Sequence, residues 1–407
     1  MQILANLYNS SEYFIKGRIM RKRRITAVGA LCAAALMFPI GSASADSRPD
    51  AGNLSSKAVN SVVAMQKQAN ADAFIAKKDA PASALKGVCS KDKAQKSAAD
   101  VANSAKKMSQ SMSKNPKSPR HIDKVDVTIK KTTTNRKSNG NFLITTQVRI
   151  SRHVAEDNVG WVEVVPHETE MDTQGCIVDI TVKDRDYYDK HPGNSLPENP
   201  KGNSNSSQNS PSTKNNSTTQ QTQSNSAPVS PALLSLSKDK KQKAVDYAIK
   251  YAENQNSDYY YYDGNDCTNF VSQAMFAGGW TFFKNPLYPL DYMMDSSWWY
   301  NSKGAPRNSW SWSAAENFYH MATGPRDYYG LRYLFRRTVI INNIYDLEPG
   351  DILQYKAAGE TNMTHTMIVT RKAKDGMPYL SYHTDNTLDR PFSSMADKNV
   401  TWYAHRT

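Results

Sequence analysis

Between residues 46 and 190, apolar and polar positions alternate with a period of two in four runs. These are Val125-Asp126-Val127-Thr128-Ile129, Phe142 to Ile150, Gly160 to Val165, and Cys176 to Val182. Because successive side chains of a strand point to opposite faces, each run predicts a half-buried antiparallel strand. The preceding stretch, Ser47 to Ser113, is rich in Ala, Lys, Ser and Asp and reads as helix or partly disordered chain. The expectation for 46–190 is a small α+β domain, with helix packed on a curved antiparallel sheet.

After residue 235 the period changes first to that of a helix. Ala244, Val245, Ala248, Tyr251 and Ala252 share one face of a helix over Lys240 to Glu253. A second helix is predicted behind Asp266, which stands at an N-cap position. Phe270, Val271, Ala274 and Met275 share a face there, and Gly278-Gly279 breaks the helix. Short strand-like runs then follow at Asp351–Tyr355, His365–Thr370, Tyr379–His383 and Val400–Ala404, predicting an antiparallel sheet after the helices. Between the two patterned regions, residues 191–234 are dominated by Asn, Ser, Gln, Thr and Pro. So few apolar residues cannot offset chain entropy, and a disordered tether is expected there. The division is therefore 46–190, a linker over 191–234, and a second domain over 235–407.

The N-terminus reads as an export signal. Arg21-Lys22-Arg23-Arg24 precedes the apolar run Ile25 to Ile40, and Ala43-Ser44-Ala45 supplies small residues for cleavage before Asp46. The run is too short for a membrane span, so residues 1–45 are expected to be removed, with no stable membrane insertion afterwards and a secreted or wall-associated mature chain. Loss of six basic residues and one acid would lower the formal charge from +13 to +8. A mildly basic exported chain is attracted to anionic wall polymers; no nucleic-acid motif is present, and export argues against that partner. In an oxidising compartment Cys89 and Cys176 can pair, which leaves Cys267 to be explained.

Cys267 lies in Gly264-Asn265-Asp266-Cys267-Thr268-Asn269-Phe270, at the first residue of the second predicted helix. A helix N-terminus favours the thiolate, and its orphan N–H groups can stabilise an oxyanion. A nucleophile of this kind needs a histidine base and an orienting group. His365 opens the run "HTMIVT", and His383 closes the following run "YLSYHT". Adjacent strands would set the two side by side, as base and orienter. His320 and His405 rank below them. A zinc site from Cys267, His365 and His383 would need a fourth ligand at recognisable spacing, which is missing.

The ordered motifs "GNDCTNFVSQAMFAGGW", "SSWWY", "NSWSWS", "LEPGDILQY", "THTMIVT" and "YLSYHTDN" resemble the amidase domain of Gram-positive secreted proteins. That family belongs to the papain-like group with the NlpC-type and CHAP-type cell-wall hydrolases, and the resemblance covers about residues 240–407. It implies a papain-like domain and a cysteine amidase or peptidase without metal or organic cofactor. Cys267 matches its nucleophile, His365 its base and His383 the third polar residue. Asp266 matches the acid before the cysteine, expected to cap the helix. One tyrosine of Tyr259–Tyr262, with Tyr262 as the candidate, corresponds to the tyrosine that some relatives place near the oxyanion. The implied reaction is attack by the Cys267 thiolate on an amide, with peptidoglycan peptides as the expected substrate.

Six of the seven tryptophans and eighteen of the twenty-two tyrosines lie beyond residue 235. Trp280, Trp298, Trp299 and Asn362 are therefore candidates for a substrate groove, although at least half of the rings are needed for a core. The competing function is a wall- or peptide-binding protein that recognises without cutting. Acyl transfer to an amine would use the same site.

Overall fold

The computed structural model describes residues 51–77, 91–115, 119–184, 235–284, 290–302, 306–324 and 337–407. The signal segment 1–45, the linker 191–234 and Cys89 lie outside these residues. Cys176 is disulfide-bonded.

The first described segment contains helices α1 (Ala51–Asn70, continued by a π turn over Ala71–Ile75) and α2 (Lys91–Lys114). Four strands follow: β1 (Ile122–Arg136), β2 (Phe142–Val154), β3 (Val159–Met171) and β4 (Ile177–Val182). The period-two runs sit inside these strands. The second segment has helices α3 (Lys238–Tyr251), α4 (Cys267–Ala277), α5 (Trp310–Ser313) and α6 (Ala315–Thr323). Its strands are β5 (Val339–Ile341), β6 (Ile352–Ala357), β7 (His365–Lys372), β8 (Pro378–Tyr382), β9 (Thr387–Pro391) and β10 (Val400–Arg406). The chain is α+β. Among the described residues no helix is long and apolar enough to cross a membrane.

The strands of both segments form one antiparallel sheet in the order β1-β2-β3-β9-β8-β7-β6-β10-β5, with β4 also on β3. The seam is short: Val162 pairs with Leu388 and Glu163 with Thr387, and the Val164 N–H donates to the Asn386 carbonyl at 3.1 Å. Composition separated the two segments, but residues 48–407 form one compact unit.

Consecutive strand residues feed different cores, as the pleat requires. Ile352 and Ile368 face α3 and α4, together with Phe270, Val271, Ala274 and Met275. Their neighbours Leu353, Met367 and Val369 face the other way, into a core that also takes Phe74, Ala105, Met112 and Trp161 from the first segment. The first segment thus covers the sheet face that α3 and α4 leave open. Polar links tie the same junction. Ser111 donates to the Ser393 carbonyl at 2.6 Å, Asn115 to the Tyr345 hydroxyl at 2.7 Å, and Arg120 to both Asp157 and Asp375.

Helix α3 is seated by a glycine. Gly350, in the turn before β6, has φ +92°, and a Cβ there would lie 2.7 Å from Lys241 Cβ and 3.0 Å from its Cα. Both the backbone angle and the space exclude a side chain. Gly350→Ala is expected to cost about 2–3 kcal/mol in urea unfolding, and a loss under about 0.5 kcal/mol would refute this account of the contact.

Two histidines are buried uncharged in this scaffold. His167 donates from Nδ1 to the Val165 carbonyl at 3.0 Å and accepts at Nε2 from Gln66 at 2.9 Å, and burial pushes its pKa down to about 4. Burial pushes His405 down to about 3. In the unfolded chain both titrate near 6.5, so below that pH the unfolded state binds more protons and stability falls with pH. A loss of a few kcal/mol is expected from pH 6.5 down to about 4, followed by levelling as the folded groups protonate. Urea midpoints that stay flat from pH 7 to pH 4.5 would contradict it.

Candidate active site

The "DCTNFVSQ" stretch is the start of α4, and almost every polar group in it is spent on holding the helix in place. Asp266 is buried, with φ −92° and ψ 0°, and its side chain caps none of the helix N–H groups. This corrects the expected capping role. The carboxylate turns back instead. Oδ1 accepts from the Tyr262 N–H at 3.0 Å and from Asn269 Nδ2 at 2.7 Å, and Oδ2 accepts from His383 Nδ1 at 2.6 Å. A side chain already satisfied by a loop and a histidine has nothing left for the helix. The first-turn N–H groups are therefore not consumed by their own cap.

Thr268 bonds the Thr366 hydroxyl at 2.9 Å, which pins the helix start to β7. Asn269 also donates to the Tyr260 carbonyl at 2.8 Å and accepts from Trp312 Nε1 at 2.7 Å. Ser272 accepts from Trp298 Nε1 at 3.2 Å, and Gln273 accepts from the Tyr247 hydroxyl at 2.7 Å. Cys267 begins the helix as a buried thiol outside any disulfide, its sulfur 3.7 Å from the Thr268 hydroxyl.

The two histidines do not meet as base and orienter. His383 stacks on Phe270 with ring centroids 4.1 Å apart, donates to Asp266, and donates from Nε2 to the Tyr251 carbonyl at 2.8 Å. His365 points elsewhere: its ring lies edge-on to Tyr382 at 4.8 Å and tilted against Tyr355 at 5.4 Å, its cross-strand partner. The reason is register. Ile368 pairs with Ser381 across β7 and β8, and Tyr382 rather than His383 shares the face of His365. His383 thus orients the residue before Cys267, and through the Tyr251 carbonyl it ties α3 to α4.

The aromatic candidates divide in the same way. Trp280, Trp298 and Trp299 are 5%, 0% and 4% exposed, so they are core and not groove. Trp298 lies 4.8 Å from Trp312 and 5.5 Å from Trp280, and Arg337 is held over both Trp280 and Trp298. Asn362 is exposed in the turn that leads into His365. Tyr262 donates its hydroxyl to Asn308, and burial pushes its pKa up to about 12, so it stands as a neutral donor. Within the same tyrosine run Tyr260 is the exposed ring, 48% accessible beneath the Arg307 guanidinium at 4.6 Å, beside the loop that Asn269 holds. Sequence reasoning missed the scaffold role of Asn269 and Gln273. Their spacing along one helix was legible, but their partners lie 9 to 43 residues away.

The site is closed. Cys267, His365 and His383 are 2%, 1% and 1% exposed. A cavity of about 400 Å³ lies on the first segment's side of the sheet, and none of these three residues lines it.

Residues 238–405 match the family described as "Putative amidase domain". Among curated proteins, the chain is similar to YhbB of Bacillus subtilis (strain 168), described as uncharacterized, with 31% identity over 150 residues. That alignment takes in 37% of this chain and 43% of the relative. It is also similar to YjcM of the same strain, likewise described as uncharacterized, with 30% identity over 162 residues, 38% of this chain and 33% of the relative. The chain thus spans less than half the length of the curated relatives it matches. No solved structure matches it.

Proposed function

From the amidase domain carried by residues 238–405, we infer that this protein is a secreted amide hydrolase that uses Cys267 as its nucleophile. One observation carries the reading: Cys267 opens a buried helix whose cap residue has been turned away from the N–H groups. Those groups then serve the oxyanion, and the helix end favours the thiolate. The thiolate attacks an amide carbonyl, and the first-turn N–H groups hold the tetrahedral oxyanion. The leaving amine takes a proton, and water then cleaves the thioester.

The base is His365. His383 has a carbonyl oxygen on one nitrogen and a carboxylate on the other, so it turns no lone pair towards the thiol. His365 is the histidine that the family resemblance matches to the base, and it opens the end of β7 that the Thr366–Thr268 bond joins to the start of α4. The overall class is papain-like, with a helix bearing the thiol packed on a sheet bearing the histidine. The export signal and the basic balance of the chain suit a peptidoglycan peptide as substrate.

Burial of Cys267 and His365 favours a second reading, a wall-binding protein that does not cut. Incubation with isolated Gram-positive cell wall separates the two. Newly released amines, assigned by mass spectrometry, are expected from wild type and not from Cys267→Ala. Cosedimentation of both proteins with the wall and no release from either would overturn the hydrolase in favour of the binder.

A further inference from the structure

The 400 Å³ cavity sits where α2, the β2–β3 strands and the β9 segment meet, and its inner wall is made of charge. Arg152 and Arg390 are 2% and 5% exposed and both lie over one ring, Trp161, at 4.2 and 5.1 Å from its centroid. Each guanidinium is fixed by several bonds. Arg152 donates from Nε to Asn70 at 2.7 Å and from Nη1 to Glu163 at 2.5 Å. Arg390 donates from Nε to Ser394 at 2.8 Å, and from Nη1 to the Tyr382 hydroxyl at 2.9 Å and to Glu163 at 3.2 Å.

In both arginines Nη2 makes no hydrogen bond among the described residues, and both residues line the cavity. Glu163 is bonded to both, and the buried Asp385 on the same wall adds its charge at Arg390. Two immobilised guanidinium edges facing one space are the donor set for a second carboxylate. Beyond them the wall turns apolar, with Ile150, Met108 and Met395, and charges of both signs border it, Asp184, Asp385 and Asp397 beside Lys107, Lys114 and Lys398. An anion-binding end, an apolar stretch and a border that offers carboxylates as well as lysines match a short peptide with a free α-carboxylate and a free α-amine. The volume suits a ligand of that size.

We propose that this cavity is a second, non-catalytic site that binds a short zwitterionic peptide, its carboxylate on Arg152 and Arg390 and its side chains on Met108, Ile150 and Met395. The proposal stands apart from the amidase reading, because Cys267 contributes nothing to the cavity.

The probe is trialanine, titrated calorimetrically into the full chain. Saturable binding at or below about 10 mM is expected. Cys267→Ala should bind within about twofold of wild type, which separates this site from the thiol even if no amide is ever cleaved. C-terminally amidated trialanine should bind at least about tenfold more weakly, since it offers the guanidiniums no charge. Met108→Trp should fill the cavity and abolish binding. If that variant does not fold, Arg390→Lys keeps the charge but loses the fork, and should weaken binding about tenfold. Absence of saturation in wild type, equal binding of the amidated peptide, or unchanged binding in a folded Met108→Trp would each overturn the proposal. So would unchanged binding in Arg390→Lys where it stands in for that variant.

Discussion

His365→Ala is expected to lower the rate of amide cleavage by about a thousandfold or more while the protein stays folded, the loss typical of a missing base beside a nucleophile. The comparison with His383→Ala gives this its force. His383 bonds Asp266 and the Tyr251 carbonyl and stacks on Phe270, so its removal leaves a buried carboxylate with one partner fewer and loosens the start of α4. Such a change costs stability, on the order of 2–4 kcal/mol, and reduces activity through misplacement of Cys267. Added imidazole should partly restore His365→Ala, because a small diffusible base replaces a proton acceptor, and should do nothing for His383→Ala. The opposite pattern, rescue of His383→Ala with His365→Ala nearly as active as wild type, would reverse the two roles and return the reading to the wrong histidine.

The largest effect on stability is expected at Glu163. Its carboxylate accepts from Arg152 on one oxygen and from Arg390 on the other, across the seam where β3 meets β9. Burial drives the pKa of Arg152 down, and Glu163 offsets this only in part. At Arg390 burial works in the same direction, but Tyr382, Glu163 and Asp385 outweigh it and hold the pKa above the usual arginine range. Glu163→Gln would leave two buried like charges beside Trp161 without their shared carboxylate, at a cost of about 3–5 kcal/mol in urea unfolding. A loss under about 1 kcal/mol would show that the guanidiniums find water or another anion. Because the residue belongs to one segment and Arg390 to the other, the variant also tests whether the two unfold together. A single transition at a lower midpoint is expected.

Much of this protein was legible in its sequence, because local physics sets what each stretch can become. Period-two alternation placed β1 to β4, short strand-like runs placed β6 to β8 and β10, and a helical face between Asp266 and Gly278 placed α4 with Cys267 at its first residue. Strands β5 and β9, at 339–341 and 387–391, were not legible, being three and five residues long with no clean alternation. Nor was the joining of the two segments. Composition marks a boundary at 191–234, but only tertiary pairing reveals that β3 and β9 close one sheet across it. The histidines show the same limit. A hairpin can be read from Asp375-Gly376, yet which of His365 and Tyr382 or His383 share a face depends on register and on a bulge between Val369 and Arg371. Thus the sequence by itself determined most of the elements, the thiol and its helix end. The partners of Asp266, the burial of the tryptophans and the arginine-lined cavity were decided only in three dimensions, since each joins residues that nothing local brings together.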